Sequence, residues 1–194
     1  MAPWRRWSTR LAAAVIAAAG ISGLCAQSLV VRADPGRIRV SSPKTQFLEG
    51  RSLDRLRNGA PVVFAIQLSL LSGSRGNLLA RSAGRFAVSF DIWEEKFAVT
   101  RLGNPRRSTS HLAAAETEAW CLENLVLTAA GLSPDAAFWI RLDVRTEANG
   151  EAPAPGEEAG VTLARLVDLF SRPQREGETR RRAEAGPLRL KDLR

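Results

Sequence analysis

The sequence has too little cysteine, histidine and tyrosine for several familiar kinds of site. Its 194 residues include two cysteines, one histidine and no tyrosine. Two cysteines exclude a disulfide-dense scaffold and a multi-cysteine zinc module. The single histidine, His111, excludes every site that needs two. Composition alone therefore excludes more functions than it indicates.

The common catalytic motifs are also missing. The chain has no Gly-x-Gly-x-x-Gly, P-loop, His-Glu-x-x-His or Gly-x-Ser-x-Gly sequence. Ser41 and Lys44 have the spacing in which a lysine activates a serine one helical turn away, but Pro43 disfavours a helix there. We therefore expect no catalytic residue, no cofactor and no metal, and we interpret the chain as non-catalytic.

Positive charge is concentrated at the two ends of the chain. The formal net charge is +8, of which residues 1–26 carry +3 and residues 172–194 carry +4. Residues 27–171 carry only +1, so the body of the protein is nearly neutral. A nucleic-acid-binding domain needs a basic face on its folded body. We therefore expect no nucleic-acid partner.

The N-terminus has the order of an export signal. Three arginines within the first ten residues precede an apolar stretch from Leu11 to Leu24, and Ala26 supplies a small residue at a cleavage position. This order is typical of a secretory signal peptide. We predict that residues 1–26 are removed by cleavage between Ala26 and Gln27, and that the mature protein is exported to the periplasm or cell envelope.

Two other interpretations of the N-terminus stay open. Residues 11–31 contain no charge and are long enough to span a bilayer, so they are alternatively an inner-membrane anchor. Cys25 is alternatively a lipidated cysteine, although Leu24 is larger than the residue that lipoprotein signals place before it. If cleavage follows Ala26, Cys121 is the only cysteine left, and its apolar helical surroundings predict a buried side chain.

Alternating apolar residues predict a sheet-rich body. The predicted strands are Leu29–Val31, Arg37–Ser41, Val62–Leu70, Arg85–Asp91, a short strand around Phe97 and Val99, and Phe138–Arg145. The predicted helices are Phe47–Arg57, Ser110–Val126 and Val161–Phe170. The stripe expected to be buried on the middle helix is Leu112, Ala115, Ala119, Leu122 and Val126. Ser110 is its expected N-cap.

This order of elements predicts an α+β or mainly β fold. Consecutive strands without intervening helices favour an antiparallel sheet or a β-sandwich with two or three packed helices. We predict that residues 27–173 form a single globular domain. Residues 174–194 are polar and rich in arginine, and we predict a basic, loosely ordered tail.

Acidic residues cluster at the tip of the hairpin predicted around residues 93–96. Asp91, Glu94 and Glu95 could hold calcium or transfer protons, as paired carboxylates do. Three acids beside Lys96 are also typical of a solvated turn. The cluster is the candidate for an acidic catalytic site if the chain is an enzyme. His111 is predicted to lie at the surface near a helix start.

The polar side of the last strand is the candidate contact surface. Trp139 lies there, and it either packs under a helix or loop or contacts a partner. The tail arginines could touch anionic head groups at a membrane surface or an acidic partner. The candidate contact residues are Trp139, Arg141, Arg145, Arg180, Arg181 and Arg182.

Three stretches resemble a family of exported bacterial proteins known as domain of unknown function 4390. They are Asn58–Phe64, which opens an apolar strand, Arg85–Phe90 with its following hairpin, and Trp139–Asp143. The resemblance covers roughly residues 36–146. It implies a signal peptide and a location in the bacterial envelope. It brings no activity and no catalytic residues.

The sequence thus favours a non-catalytic exported protein that binds or assists another envelope protein. The first alternative is binding of a lipid or small molecule between the sheet and the Ser110–Val126 helix, in a cavity lined by Phe64, Phe86 or Phe90. The second alternative is an enzyme with an unrecognised acidic site.

Overall fold

A computed structural model describes residues 29–42, 46–73, 76–147, 170–171 and 179–193. The predicted signal peptide, residues 11–28 of the alternative anchor 11–31, and Cys25 lie outside the described residues, as does most of the predicted helix Val161–Phe170. The strands are β1 (Val30–Asp34), β2 (Arg37–Ser41), β3 (Val62–Ser72), β4 (Leu78–Asp91), β5 (Lys96–Leu102), β6 (Arg107–Leu112), β7 (Leu127–Thr128), β8 (Phe138–Thr146) and β9 (Arg180–Leu188). The helices are α1 (Arg51–Arg57) and α2 (Ala114–Glu123), and a 3-10 turn spans Leu190–Asp192.

The strands form two antiparallel sheets. The small sheet has the order β1-β2-β7, and the large sheet has the order β6-β5-β4-β3-β8-β9. The predicted fold class, α+β or mainly β, is therefore confirmed, and the two-sheet arrangement is compatible with a β-sandwich. No helix among the described residues combines the length and the apolar character needed to cross a membrane.

Strand β3 lies in the middle of the large sheet and is buried on both faces. It pairs with β4 on one side and β8 on the other. Phe64, Ile66 and Leu68 point to one face and are fully buried. Each large apolar side chain of this kind contributes about 1.5–3 kcal/mol when it leaves water. We call this face of the large sheet the core face, and the opposite face the outer face.

The small sheet and the two helices cover the core face. Ile38 of β2 and Leu127 of β7 are buried in the same apolar cluster as Phe64 and Phe86. Helix α2 adds Cys121 to this cluster. The Cys121 side chain is fully buried, which confirms the prediction, and burial raises the pKa of its thiol.

The predicted helix Ser110–Val126 is wrong at both ends. Residues 107–112 form strand β6, which pairs with β5, so the helix begins only at Ala114. The N-cap is Ala113, whose N–H donates to the Glu116 carboxylate at 2.7 Å, and Ser110 does not cap the helix. Ala115 and Ala119 of the expected buried stripe are exposed. The buried side chains of α2 are instead Thr117, Glu118, Cys121 and Leu122.

The prediction of a loosely ordered tail is wrong for residues 180–188. These residues form β9, which pairs with β8 from Phe138↔Leu188 to Arg145↔Arg180. The large sheet therefore continues past residue 173, where we expected the domain to end. The apolar side chain of Ala183 is buried on the core face of this edge strand. The sequence pattern did not predict this strand because the other face of β9 carries charged residues.

Glu118 is a buried carboxylate that the sequence analysis missed. Its Oε1 accepts hydrogen bonds from the backbone N–H groups of Phe47 and Leu48, each at 2.7 Å. These two residues precede α1, which begins at Arg51 rather than at Phe47 as expected. Burial raises the pKa of Glu118, although the two N–H donors oppose the shift. The side chain therefore anchors the segment before α1 to α2.

We predict that Glu118→Gln and Glu118→Ala distinguish two effects of Glu118 on stability. One is the side-chain oxygen as a hydrogen-bond acceptor, and the other is the buried negative charge. Alanine leaves two buried N–H groups without an acceptor and should destabilise the protein by about 1–3 kcal/mol or more at every pH. Glutamine keeps an acceptor and removes the buried charge. In the native protein a raised pKa means that stability falls as pH rises above about 4.5 through the folded pKa.

Urea unfolding from pH 4 to pH 8 measures both effects. Glu118→Gln should lose this part of the pH dependence, so it gains stability relative to the native chain as pH rises. Equal destabilisation by glutamine and alanine would contradict the assignment.

Candidate functional site

The outer face of the large sheet carries rows of polar side chains across four strands. Strand alternation and register set these rows. One row is Arg81, Ser69, Arg141 and Glu184, the next is Ala83, Gln67, Asp143 and Arg182, and the third is Arg85, Ala65, Arg145 and Arg180. Arginine therefore reaches this face from β4, β8 and β9, while small or neutral side chains of β3 lie between them.

These rows form a polar pocket of about 220 Å³. Its floor is Gln67 and Ser69 of β3, which are both buried. Phe170 and Ser171 lie at its side. The charged residues that line it are Arg81, Arg141, Asp143, Arg180 and Arg182. Among the described residues, four arginines against one carboxylate give the lining a formal excess of three positive charges.

Ion pairs hold most of the charges in place. The Asp143 carboxylate, which is 4% exposed, accepts from Arg182 Nε at 2.8 Å and from Arg180 Nη2 at 3.3 Å. Arg141 Nε donates to Glu184 at 2.6 Å. One carboxylate oxygen thus serves two guanidinium groups. Counting Glu184 as well, the described residues of the pocket and its rim keep a formal excess of two positive charges.

Two polar groups of the pocket have unused hydrogen-bonding capacity. Arg81 Nε and Gln67 Oε1 are buried, and neither has a hydrogen-bond partner among the residues that the structure describes. Gln67 Nε2 donates to Ser69 Oγ at 3.1 Å, so only one side of this amide is satisfied. Buried polar atoms of this kind are uncommon in folded proteins because each costs about 1–3 kcal/mol.

The predicted contact residues do not form one exposed surface. Arg145 is 2% exposed, and its guanidinium lies 5.6 Å from the centre of the Phe170 ring and donates to the Phe170 carbonyl. The prediction that Arg145 contacts a partner is therefore wrong, because its side chain is buried. Arg181 points to the core face, opposite to Arg180 and Arg182, and it pairs with Glu49. The arginine run of the tail is split because side chains alternate along a strand.

Trp139 packs against the neighbouring strand β9 rather than standing free on a strand. It is half-buried, and its ring lies directly over the backbone of Gly186 in β9. This arrangement agrees with the first of the two sequence interpretations, packing under a neighbouring segment. Gly186 has a φ of +145°, a backbone conformation that residues other than glycine rarely adopt.

The acidic cluster builds the tip of the β4–β5 hairpin. Asp91 Oδ1 accepts from the N–H groups of Trp93 at 2.8 Å and Glu94 at 3.2 Å. Glu94 lies 3.0 Å from His111 Nε2. His111 belongs to β6 and not to the helix that holds Cys121. Among the described residues, no group of three or more His, Cys, Asp or Glu side chains is arranged to hold a metal ion.

The same hairpin tip exposes two large apolar side chains. Trp93 is 90% exposed and Ile92 is 57% exposed. Strand β4 ends at Asp91, and the turn that follows it directs Ile92 into solvent. A tryptophan inside a four-residue turn was the signal that could have identified this feature.

Comparisons with protein-family models, with curated proteins and with solved structures find no match to this chain. The resemblance to domain of unknown function 4390 therefore stays a prediction.

We predict that Gly186→Ala destabilises the protein more than Gly103→Ala. A Cβ at residue 186 would lie 2.6 Å from Trp139 Cδ1, whereas a Cβ at Gly103, whose φ of +129° is close to the +145° of Gly186, meets nothing within 4 Å. Gly103→Ala therefore reports backbone strain alone, about 1–3 kcal/mol. Gly186→Ala should cost about 1–3 kcal/mol more because the indole must move. Thermal unfolding of both variants measures the difference, and equal costs would show that Trp139 is not packed on β9.

Proposed function

We propose that this chain is a non-catalytic exported protein that binds another protein of the bacterial envelope through the tip of its β4–β5 hairpin. The observation that carries the proposal is the exposure of Trp93, next to exposed Ile92. Tryptophan is enriched among residues that dominate binding energy in protein interfaces, where it fills a pocket of the partner. The proposed location rests on the export signal predicted in residues 1–26.

The hairpin tip holds its conformation without a partner. Asp91 accepts two backbone N–H groups of the turn, and the Glu94–His111 contact joins the tip to β6. Behind the tip, the rings of Phe90 and Phe97 contact each other with centroids 4.9 Å apart. A preorganised contact loses less conformational entropy on binding. The hairpin therefore presents Trp93 from a turn whose backbone is already ordered.

Charge around the tip indicates the chemistry of the partner. Asp91, Glu94 and Glu95 outnumber Lys96, so the four residues carry a formal charge of −2. This charge would be repelled by an anionic membrane surface. It complements an apolar pocket with a basic rim. A protein partner with such a pocket fits the tip better than a lipid bilayer does.

The other sequence interpretations have less support. Phe64 and Phe86 are fully buried, and they contact Phe47 at 5.1 Å and Trp120 at 6.2 Å between ring centroids, so their surroundings are filled by side chains. The tail arginines are engaged with Asp143 and Glu49, which weakens the case for a free membrane-binding run.

We predict that a photo-crosslinking amino acid at Trp93, introduced in the native host, captures one envelope protein. The matched control is Leu79, which is also apolar and 49% exposed but lies at the opposite end of β4, about 40 Å away. The same amino acid at Leu79 should not capture that protein.

The affinity of the purified partner for variants at residue 93 then tests whether Trp93 dominates the binding energy. Trp93→Ala should weaken binding at least tenfold, Trp93→Phe should weaken it less, and rising salt should weaken binding to the native chain. Equal capture from both positions, no capture from Trp93, or an unchanged affinity in Trp93→Ala would overturn the proposal. A blue shift of Trp93 fluorescence on vesicles of anionic lipid would overturn it in favour of a membrane contact.

A further inference from the structure

We infer that the polar pocket on the outer face binds a small phosphate ester that carries a hydroxyl group. This inference is independent of the proposed docking at Trp93, because the pocket and the hairpin tip are made by different residues. It rests on three properties of the pocket as the described residues form it, namely its excess of positive charge, its unsatisfied buried donor and amide, and its size.

The charge of the pocket requires an anion. Asp143 is shared by Arg180 and Arg182, and Arg141 is paired with Glu184. Arg81 Nε is buried and has no hydrogen-bond partner among the residues that the structure describes. A buried guanidinium N–H of this kind is stabilised when an oxyanion accepts its hydrogen bond.

The number and direction of the arginines favour phosphate over carboxylate. Arg81, Arg141 and Arg182 line the pocket from three different strands. A tetrahedral phosphate can accept from several directions, whereas a carboxylate accepts in its own plane. The formal excess of two positive charges also matches a phosphate monoester dianion.

Gln67 indicates the second group of the ligand. Its side chain is 6% exposed and lines the pocket, and its Oε1 accepts from no described residue. If the amide is rotated by 180°, the N–H₂ group occupies this position and one of its donors is unused instead. A hydroxyl group both donates and accepts, so it satisfies Gln67 in either orientation.

The size of the pocket restricts the ligand to a few heavy atoms. Its volume of about 220 Å³ is below the 300–1,000 Å³ of pockets that hold drug-sized molecules. A phosphate ester of a three-carbon polyol fits this range, and a nucleotide does not. Glycerophosphate occurs free in solution as a monoester and in the head groups of glycerophospholipids as a diester with one negative charge, and the experiment below distinguishes the two sources.

Isothermal titration calorimetry of the full chain tests the inference with glycerol 3-phosphate, inorganic phosphate and glycerol. We expect saturable binding of glycerol 3-phosphate, binding of inorganic phosphate weaker by about tenfold, since one hydrogen-bonded group is missing, and no binding of glycerol. Vesicles of phosphatidylglycerol, compared with vesicles of phosphatidylcholine, test the lipid source. Binding to the former vesicles alone would assign the pocket to a head group.

Variants of Arg81 and Gln67 test whether these two residues bind the ligand. Arg81→Met should weaken both phosphate ligands at least tenfold, whereas Arg57→Met, the same change of charge on the exposed side of α1, should leave them unchanged. Gln67→Leu should reduce the affinity for glycerol 3-phosphate to that for inorganic phosphate and leave the latter as it is. Thermal unfolding, together with Gln67→Met as a second variant, separates loss of binding from loss of folding.

The inference fails if neither phosphate ligand nor either vesicle binds, or if Arg57→Met weakens binding as much as Arg81→Met, which would indicate unspecific attraction. Trp93→Ala should bind glycerol 3-phosphate as the native chain does. A failure of the phosphate inference therefore does not contradict the proposed docking at Trp93, and a failure of the docking proposal does not contradict the phosphate inference.

Discussion

Burial of β3 on both of its faces is the constraint on which the rest of the structure depends. On the core face, Phe64, Ile66 and Leu68 require the cover that the small sheet and the two helices supply. On the outer face, Gln67 and Ser69 are also buried, although they are polar. Their burial brings hydrogen-bonding groups into a partly desolvated environment beside the arginines of β4, β8 and β9. The polar pocket is therefore a consequence of where β3 lies, because an edge strand would leave the same side chains in water.

The C-terminal strand completes this arrangement. Arg180 and Arg182 of β9 share the buried Asp143, and Arg181 on the opposite face pairs with Glu49, so one strand is attached to both sides of the sheet. Exposed ion pairs contribute little to stability, but a carboxylate that is 4% exposed is costly to bury without a partner. The contacts of β9 with Asp143 and Trp139 thus join the strand to the pocket that it helps to form.

The sequence predicted an element correctly where a single pattern of apolar residues, with the period of a strand or of a helix, ran through the whole segment. The alternation in Val62–Leu70 and Phe138–Arg145 identified β3 and β8, because their core faces are continuously apolar. Strand β9 and the true start of α2 were missed, since β9 buries little apolar surface and residues 107–112 were included in a helical pattern. The pocket could not be predicted for a further reason. Arg81, Gln67 and Asp143 are far apart in the chain, and only the register of three strands brings them together. Arg141 and Arg182 were identified as contact residues, but their common pocket was not.

Amide hydrogen exchange of the full chain tests most directly whether residues 180–185 form the strand that closes the pocket. If β9 pairs with β8 as described, the ladder amides of this segment exchange at least about 100-fold more slowly than in an unfolded chain, which corresponds to an opening free energy of about 2.7 kcal/mol. Protection should extend through Thr179 and Thr146, which exchange hydrogen bonds at the end of the ladder. Exchange at the rate of an unfolded chain across residues 180–185, with β3 and β8 still protected, would show a free basic tail and would contradict the account.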